Sequence, residues 1–101
     1  MMADTGVDCI EPLDPLGGVE VADAKRRVGD RVALMGGVNT LSLFQASPEE
    51  VYAEATACCR AGAQNGAYIL AAGDMVPDRS PRENVQALIQ AAKDFKYPKL
   101  R

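Results

Sequence analysis

The chain has 101 residues, 48% of them hydrophobic and 25% charged, with a formal net charge of −3, three cysteines and no histidine. That length makes one domain or a piece of one, and the apolar fraction is that of a globular core. The acidic balance argues against a nucleic-acid partner, no apolar run approaches the ~20 residues that span a bilayer, and Met1-Met2-Ala3-Asp4 lacks the basic-then-apolar pattern of a secretory leader.

Three strand-like runs, Val7–Glu11, Arg31–Gly36 and Ala67–Gly73, are each followed by a helix-like stretch, starting near Val19, Ser47 and Ser80. Before the first run, Met1 to Thr5 has the look of a last helical turn, with Gly6 as the left-handed residue that ends it. Pro12, Pro15, Gly17 and Gly18 then make a loop, and Val19 to Val28 a short helix closed by Gly29. Lys25-Arg26-Arg27 is the solvated end of that helix, where cations suit the negative pole of its dipole; a second basic cluster runs from Lys93 to Arg101. Arg31-Val32-Ala33-Leu34-Met35 and Tyr68-Ile69-Leu70-Ala71-Ala72 are nearly continuous apolar strands, the pattern of burial on both faces.

Ser47-Pro48-Glu49-Glu50 and Ser80-Pro81-Arg82-Glu83 both place Ser at a helix cap, Pro at the first helical position and Glu at the third. Val51, Ala55, Cys58 and Cys59 form the apolar face of the first of these helices, which Gly62 ends; Val85, Leu88, Ile89, Ala92 and Phe95 form that of the second. Matching caps after matching strands make an internal repeat of ~33 residues. Strand and helix alternating over short links are βα units on a parallel sheet, because a parallel neighbour is reached only by a crossover. The spacing fits a (β/α)₈ barrel, in which about 250 residues divide into eight units. A doubly wound sheet competes, though no Gly-x-Gly-x-x-Gly follows any strand.

Chemistry in such sheets gathers at the carboxyl ends of the strands. The candidates there are Glu11 and Asp14 after the first strand, Gly37 and Asn39 after the second, and Asp74 after the third. Asp74 is the most pointed: a carboxylate directly after Gly73 can accept hydrogen bonds, act as a base or bind a metal, or it can simply cap the turn. Gly36-Gly37 permits close approach of backbone to a ligand and equally well makes a turn. Without histidine no Ser-His or Cys-His nucleophile can be built within the chain. Cys58 and Cys59 are adjacent and diverge by about 100° on a helix, so they do not chelate zinc as a spaced pair would. With Cys9 they are expected to be small apolar filler, and three cysteines without a framework suit a reducing, cytoplasmic setting.

The segments Thr5-Gly6-Val7-Asp8, Ala24 to Val32, Leu34-Met35-Gly36-Gly37-Val38-Asn39-Thr40, Ser47-Pro48-Glu49-Glu50-Val51, Ile69-Leu70-Ala71-Ala72-Gly73-Asp74 and Ser80 to Val85 follow one another in an order and spacing that resembles the carboxyl-terminal part of the uroporphyrinogen decarboxylase superfamily. The resemblance implies about the last three βα units of a TIM barrel, a βαβαβα piece with parallel strands spanning residues 1–101. It implies porphyrinogen decarboxylation without a cofactor, or a methyltransferase-like branch that uses zinc and works with corrinoid proteins or thiol cofactors. This chain departs from the family at two places. Gly36-Gly37-Val38-Asn39-Thr40 stands where decarboxylases show Gly-Asn-Leu-Asp-Pro. Gly73-Asp74 stands where they show Gly-His and the methyltransferases a zinc-ligating cysteine. Asp74 is accordingly the one metal candidate, and Asp74, Asn39, Gly37, Glu11 and Asp14 are the substrate-binding candidates. In the full barrel the partner is a small molecule. The isolated chain is expected to be inactive and to self-associate, and the alternative is a truncated product or a small associating domain with no activity of its own.

Overall fold

Among the described residues three short strands, β1 (Cys9–Leu13), β2 (Ala33–Val38) and β3 (Tyr68–Ala72), pair in parallel in that order, and the chain segments between them cross over as helices. The computed structural model describes residues 2–64 and 66–96; part of the expected first turn (Met1) and the basic tail beyond Lys96 lie outside them. Met2–Thr5 is a single 3₁₀ turn, with Gly6 following in the left-handed region as expected.

β1, Cys9–Leu13, begins two residues later than Val7 and runs through Pro12, which the sequence places in a loop. Pro12 lacks an N–H to give a ladder, but β1 is an edge strand, where that donor is not needed on both sides. Around it the register slips: Ile10 faces Leu34 and Leu13 faces Gly36, so β1 holds one residue more than β2 over the same span. The Glu11–Pro12 peptide is cis.

α1, Val21–Val28, buries Val21 and Val28 and exposes Arg26 and Arg27, which pair with Asp23, while Lys25, expected to be solvated, is half-buried and donates to the Gly66 carbonyl at 2.7 Å. β2, Ala33–Val38, also starts and ends two residues beyond the expected Arg31–Gly36. Gly36 and Gly37 are therefore strand residues rather than a turn, held at φ 125° and 109°. The shift follows from packing: Leu34 and Val38 lie at 0% exposure under the helices, and the strand continues until Val38 has been buried.

A short helix that the sequence reading lacks comes next. α2, Thr40–Gln45, is capped by Asn39, whose side chain accepts from the Leu41 amide at 2.8 Å. This insertion explains why the strands start at unequal intervals, at Cys9, Ala33 and Tyr68, despite the repeated caps. α3, Pro48–Gly62, starts where its capping box predicts: Ser47 accepts from the Glu50 amide and Glu50 accepts from the Ser47 amide. β3, Tyr68–Ala72, agrees with the expected run and pairs with β2 from Leu34↔Tyr68 to Val38↔Ala72.

α4, Arg82–Asp94, does not repeat the cap of α3. Pro81 is the cap residue, no side chain bonds the free amides, and the Ser80 hydroxyl is buried without a partner. Its buried face is also displaced by one position, to Asn84, Ala87, Leu88, Ala91 and Phe95, while Ile89 and Ala92 are exposed. The face is set by α3, against which α4 packs, rather than by the sheet. The core lies on the helical side of the sheet, where Val21, Leu34, Val38, Val51, Ala55 and Tyr68 meet. On the other side Met35 is half-buried and Ile69 is 50% exposed. The expected burial of both strand faces is thus met on one face alone, because the described helices cover one side of the three strands.

Candidate functional site at the carboxyl ends of the strands

Three polar side chains mark the three strand ends. Asp14 follows β1 and accepts from the Leu16 amide at 3.0 Å, capping the 3₁₀ turn Pro15–Gly17. Asn39 follows β2 and caps α2. Asp74 comes two residues after β3, is exposed, and accepts from the Met75 amide at 2.8 Å. Asp14 and Asn39 are Asx-type caps, whereas Asp74 bonds only the amide next to it and caps no element; in each, one oxygen is engaged by the following backbone and acceptor capacity is left over. Glu11 does not stand at this edge. It lies inside β1, because the strand runs on to Leu13.

The ends of β1 and β3 meet in space. The Gly73 amide donates to the Val38 carbonyl at 2.7 Å, continuing the ladder one step past β3. A Cβ on Gly73 would lie 2.9 Å from the Leu13 carbonyl oxygen and 3.0 Å from the Asp14 Cα. Real Cβ contacts do not close to that distance against backbone, so glycine alone lets the two loops touch. Asp14 and the Gly73-Asp74 step are brought together, with Asn39 on the strand between.

Behind Asn39, on the side of the helices, lies an open cavity of about 370 Å³ lined in part by Glu20, Val21, Gly37, Asn39, Glu54 and Cys58. Glu54 projects from α3 and accepts from the Asn39 amide at 2.6 Å and from the Ser42 hydroxyl at 2.7 Å. Across α2, Asn84 of α4 donates to the carbonyls of Leu43 at 3.0 Å and Ala46 at 2.8 Å. Sequence reasoning missed both residues. The available signals were a glutamate one turn after Glu50 on a half-buried helix face, and an asparagine in the first turn of α4 beside its apolar stripe. Neither names its partner, which is distant in sequence.

Gly37 is buried and lines the cavity through its backbone, and a Cβ there would meet Val21, Cys58 and the Tyr68 hydroxyl. The cysteines behave as filler. Cys58 and Cys59 are buried, and the Cys58 thiol is pushed up to about 12, first by burial and then by the carboxylate of Glu54. Such a thiol is protonated and unreactive at neutral pH. Among the described residues no group of three or more His, Cys, Asp or Glu stands together as a metal site, so the residues present do not fit zinc at Asp74. No described helix is long and apolar enough to cross a membrane.

A parallel three-stranded βα sheet with polar residues at its strand ends is an α/β architecture consistent with a piece of a (β/α)₈ barrel. The sequence matches the family model "Uroporphyrinogen decarboxylase (URO-D)" over residues 1–95, and the chain belongs to that family. It is 39% identical over 101 residues to the uroporphyrinogen decarboxylase of Pseudoalteromonas translucida (strain TAC 125), covering 97% of this chain and 27% of the relative. It is 37% identical over 91 residues to that of Dechloromonas aromatica (strain RCB), covering 89% and 24%. With the enzyme of Coxiella burnetii (strain RSA 493 / Nine Mile phase I) it shares 33% identity over 76 residues, covering 75% and 21%. The chain therefore spans 21% to 27% of the length of these curated relatives.

Proposed function

We propose that this chain forms the carboxyl-terminal βαβαβα portion of a uroporphyrinogen decarboxylase barrel and supplies part of the mouth at which a porphyrinogen loses CO₂. The observation that carries the reading is the combination of three parallel βα units with a family match running from residue 1 to residue 95. A barrel of eight units leaves the interior face of its strands to be filled by the other strands, and here that face is the uncovered one. In this reading Asp14, Asn39 and Asp74 face the substrate.

Loss of CO₂ breaks the bond from carbon to carboxylate and needs a proton to replace it, with hydrogen bonds to hold the charge that develops. Asp14 and Asp74 offer carboxylate oxygens, and Asn39 offers a donor and an acceptor. None of these steps calls for a cofactor. The decarboxylase reading is supported by the curated relatives, which are uroporphyrinogen decarboxylases.

The test is complementation. The chain is produced with the preceding portion of the Pseudoalteromonas translucida enzyme, and CO₂ release from uroporphyrinogen is followed. Turnover that needs both pieces is the expected result, and neither piece alone should act. Asp74→Ala in the assembled barrel should lower turnover or substrate binding while moving stability by no more than about 0.5 kcal/mol, since an exposed side chain carries little packing energy. A folded assembly that never releases CO₂ would sink the proposal and leave the non-catalytic alternative.

A further inference from the structure

The segment from Asn39 to Ala46 is tied down at both ends by side chains that reach in from other helices. At its start the Glu54 carboxylate takes the Asn39 amide at 2.6 Å and the Ser42 hydroxyl at 2.7 Å. At its end the Asn84 amide group donates to Leu43 and Ala46, at 3.0 and 2.8 Å. Those two carbonyls belong to the last turn of a helix, where no intrahelical donor is available. A helix of six residues is far too short to hold its shape by itself.

Both anchors are costly to place. Asn84 is 1% exposed, and its Oδ1 has no hydrogen-bond partner, so the buried amide is tolerated for its two donors. An apolar residue would fill that position without stranding an acceptor. Glu54 is half-buried, and its bonds are of the charge-assisted kind, stronger than those between neutral groups. What the two side chains have in common is the segment that begins directly at the carboxyl end of β2, between Asp14 and Asp74.

We infer that Glu54 and Asn84 are positioning residues: they hold the Asn39–Ala46 segment, and with it Asn39, in the one geometry that the mouth of the barrel requires. The inference rests on the decarboxylase reading for what the mouth does. Asn84 is 1% exposed, and both carboxylate oxygens of Glu54 are engaged by the segment itself. The two side chains act through the backbone of the segment, and a displacement of about 1 Å at such a place costs on the order of a hundredfold in rate.

The experiment uses the assembled barrel of the preceding section and compares Glu54→Ala with Glu54→Gln. Glutamine keeps a carbonyl that accepts from the Asn39 amide; alanine keeps nothing. Glu54→Ala should speed hydrogen exchange across residues 39–46 by about tenfold, the scale of one charge-assisted bond, and leave the interior amides of α3 unchanged. It should lower kcat by about thirtyfold with KM within about threefold, and Glu54→Gln should recover most of the loss. Asn84→Asp, which removes both donors, should repeat the pattern from the other end. If that variant does not fold, the Glu54 pair decides. Faster exchange with kcat intact would overturn the inference, as would unchanged exchange, or a loss that glutamine fails to recover. Those results, obtained on an assembly whose unmodified form releases CO₂, leave the decarboxylase reading standing. An unmodified assembly that is silent fails that reading and overturns the inference with it.

Discussion

A methyl group added at Gly37 would meet Val21 Cγ2 at 2.4 Å and the Cys58 sulfur and Tyr68 hydroxyl oxygen at 3.2 Å, on a backbone held at φ 109°. Two penalties coincide, a left-handed backbone that suits glycine and a core with no room. Gly37→Ala should therefore cost about 2–4 kcal/mol, read as a lower urea midpoint. The pair Gly36-Gly37 is visible in the sequence, but the turn it suggests is replaced by close packing inside a strand. The polar strand-end residues were legible for the opposite reason. Asp14, Asn39 and Asp74 each follow an apolar run directly or by one residue, so position alone marks them. Glu54 and Asn84 were not legible, since what distinguishes them is a partner 15 and 41 residues away.

Two helices with the same Ser-Pro-x-Glu preface begin differently. Ser47 caps α3 and Ser80 caps nothing, although both precede Pro and lie three residues before Glu. Ser47→Ala should cost about 1 kcal/mol, whereas Ser80→Ala should be neutral or slightly stabilising, because it removes a buried hydroxyl that bonds to nothing. Equal losses in paired denaturation curves would contradict the assignment. The preface was therefore a sound signal for the existence of both helices and an unsound one for the first turn of the second. Existence follows from local chemistry, whereas the exact start and the buried face of α4 follow from its seat on α3. The missed α2 is the extreme case, a helix supported almost wholly from outside itself. Titration should act on α3 at both extremes of pH. Bonds from Ser47 lower Glu50, and bonds from Tyr52 and Gln90 lower Asp94. Groups lowered in the folded state stabilise above their ordinary range, and that contribution disappears as pH falls through the folded value. Tyr52 is raised by its bond to Asp94, and Cys58 is raised from 9.0 to about 12, chiefly by burial. Those contributions are complete below the ordinary value and disappear as pH rises through the folded one. The urea midpoint should accordingly be flat near neutrality, fall below the ordinary carboxylate range, and fall again from pH 9 upward. Cys58→Ala should flatten part of the alkaline limb.

Among the described residues, three strands with helices on one side leave an open face and two unpaired edges, β1 and β3. Ile69 at 50% exposure marks the face, and Leu41, Phe44, Met75 and Val76 add apolar surface at the strand ends. Apolar surface and free parallel edges both invite other chains. The isolated chain should sediment as a concentration-dependent oligomer, and Ile69→Lys should shift it toward monomer while weakening complementation by the rest of the barrel. A monomer at all concentrations that unfolds in one sharp step would speak against the barrel-portion reading. At this scale the parallel βα order was readable from the alternation of apolar runs and caps, while burial depth was not, because an apolar strand looks the same whether its second cover is present or supplied by strands from elsewhere. The contact of Gly73 with the backbone at Leu13 and Asp14 bears on how such a barrel can be recombined. The first and third units are mated through their main chains, so neither can be exchanged for its counterpart from a relative as a free-standing module. A chimera that imports the third unit with any residue larger than glycine at position 73 should be rejected unless the turn after the first strand is imported with it. Among crossover designs, the viable ones should inherit these two turns from the same parent.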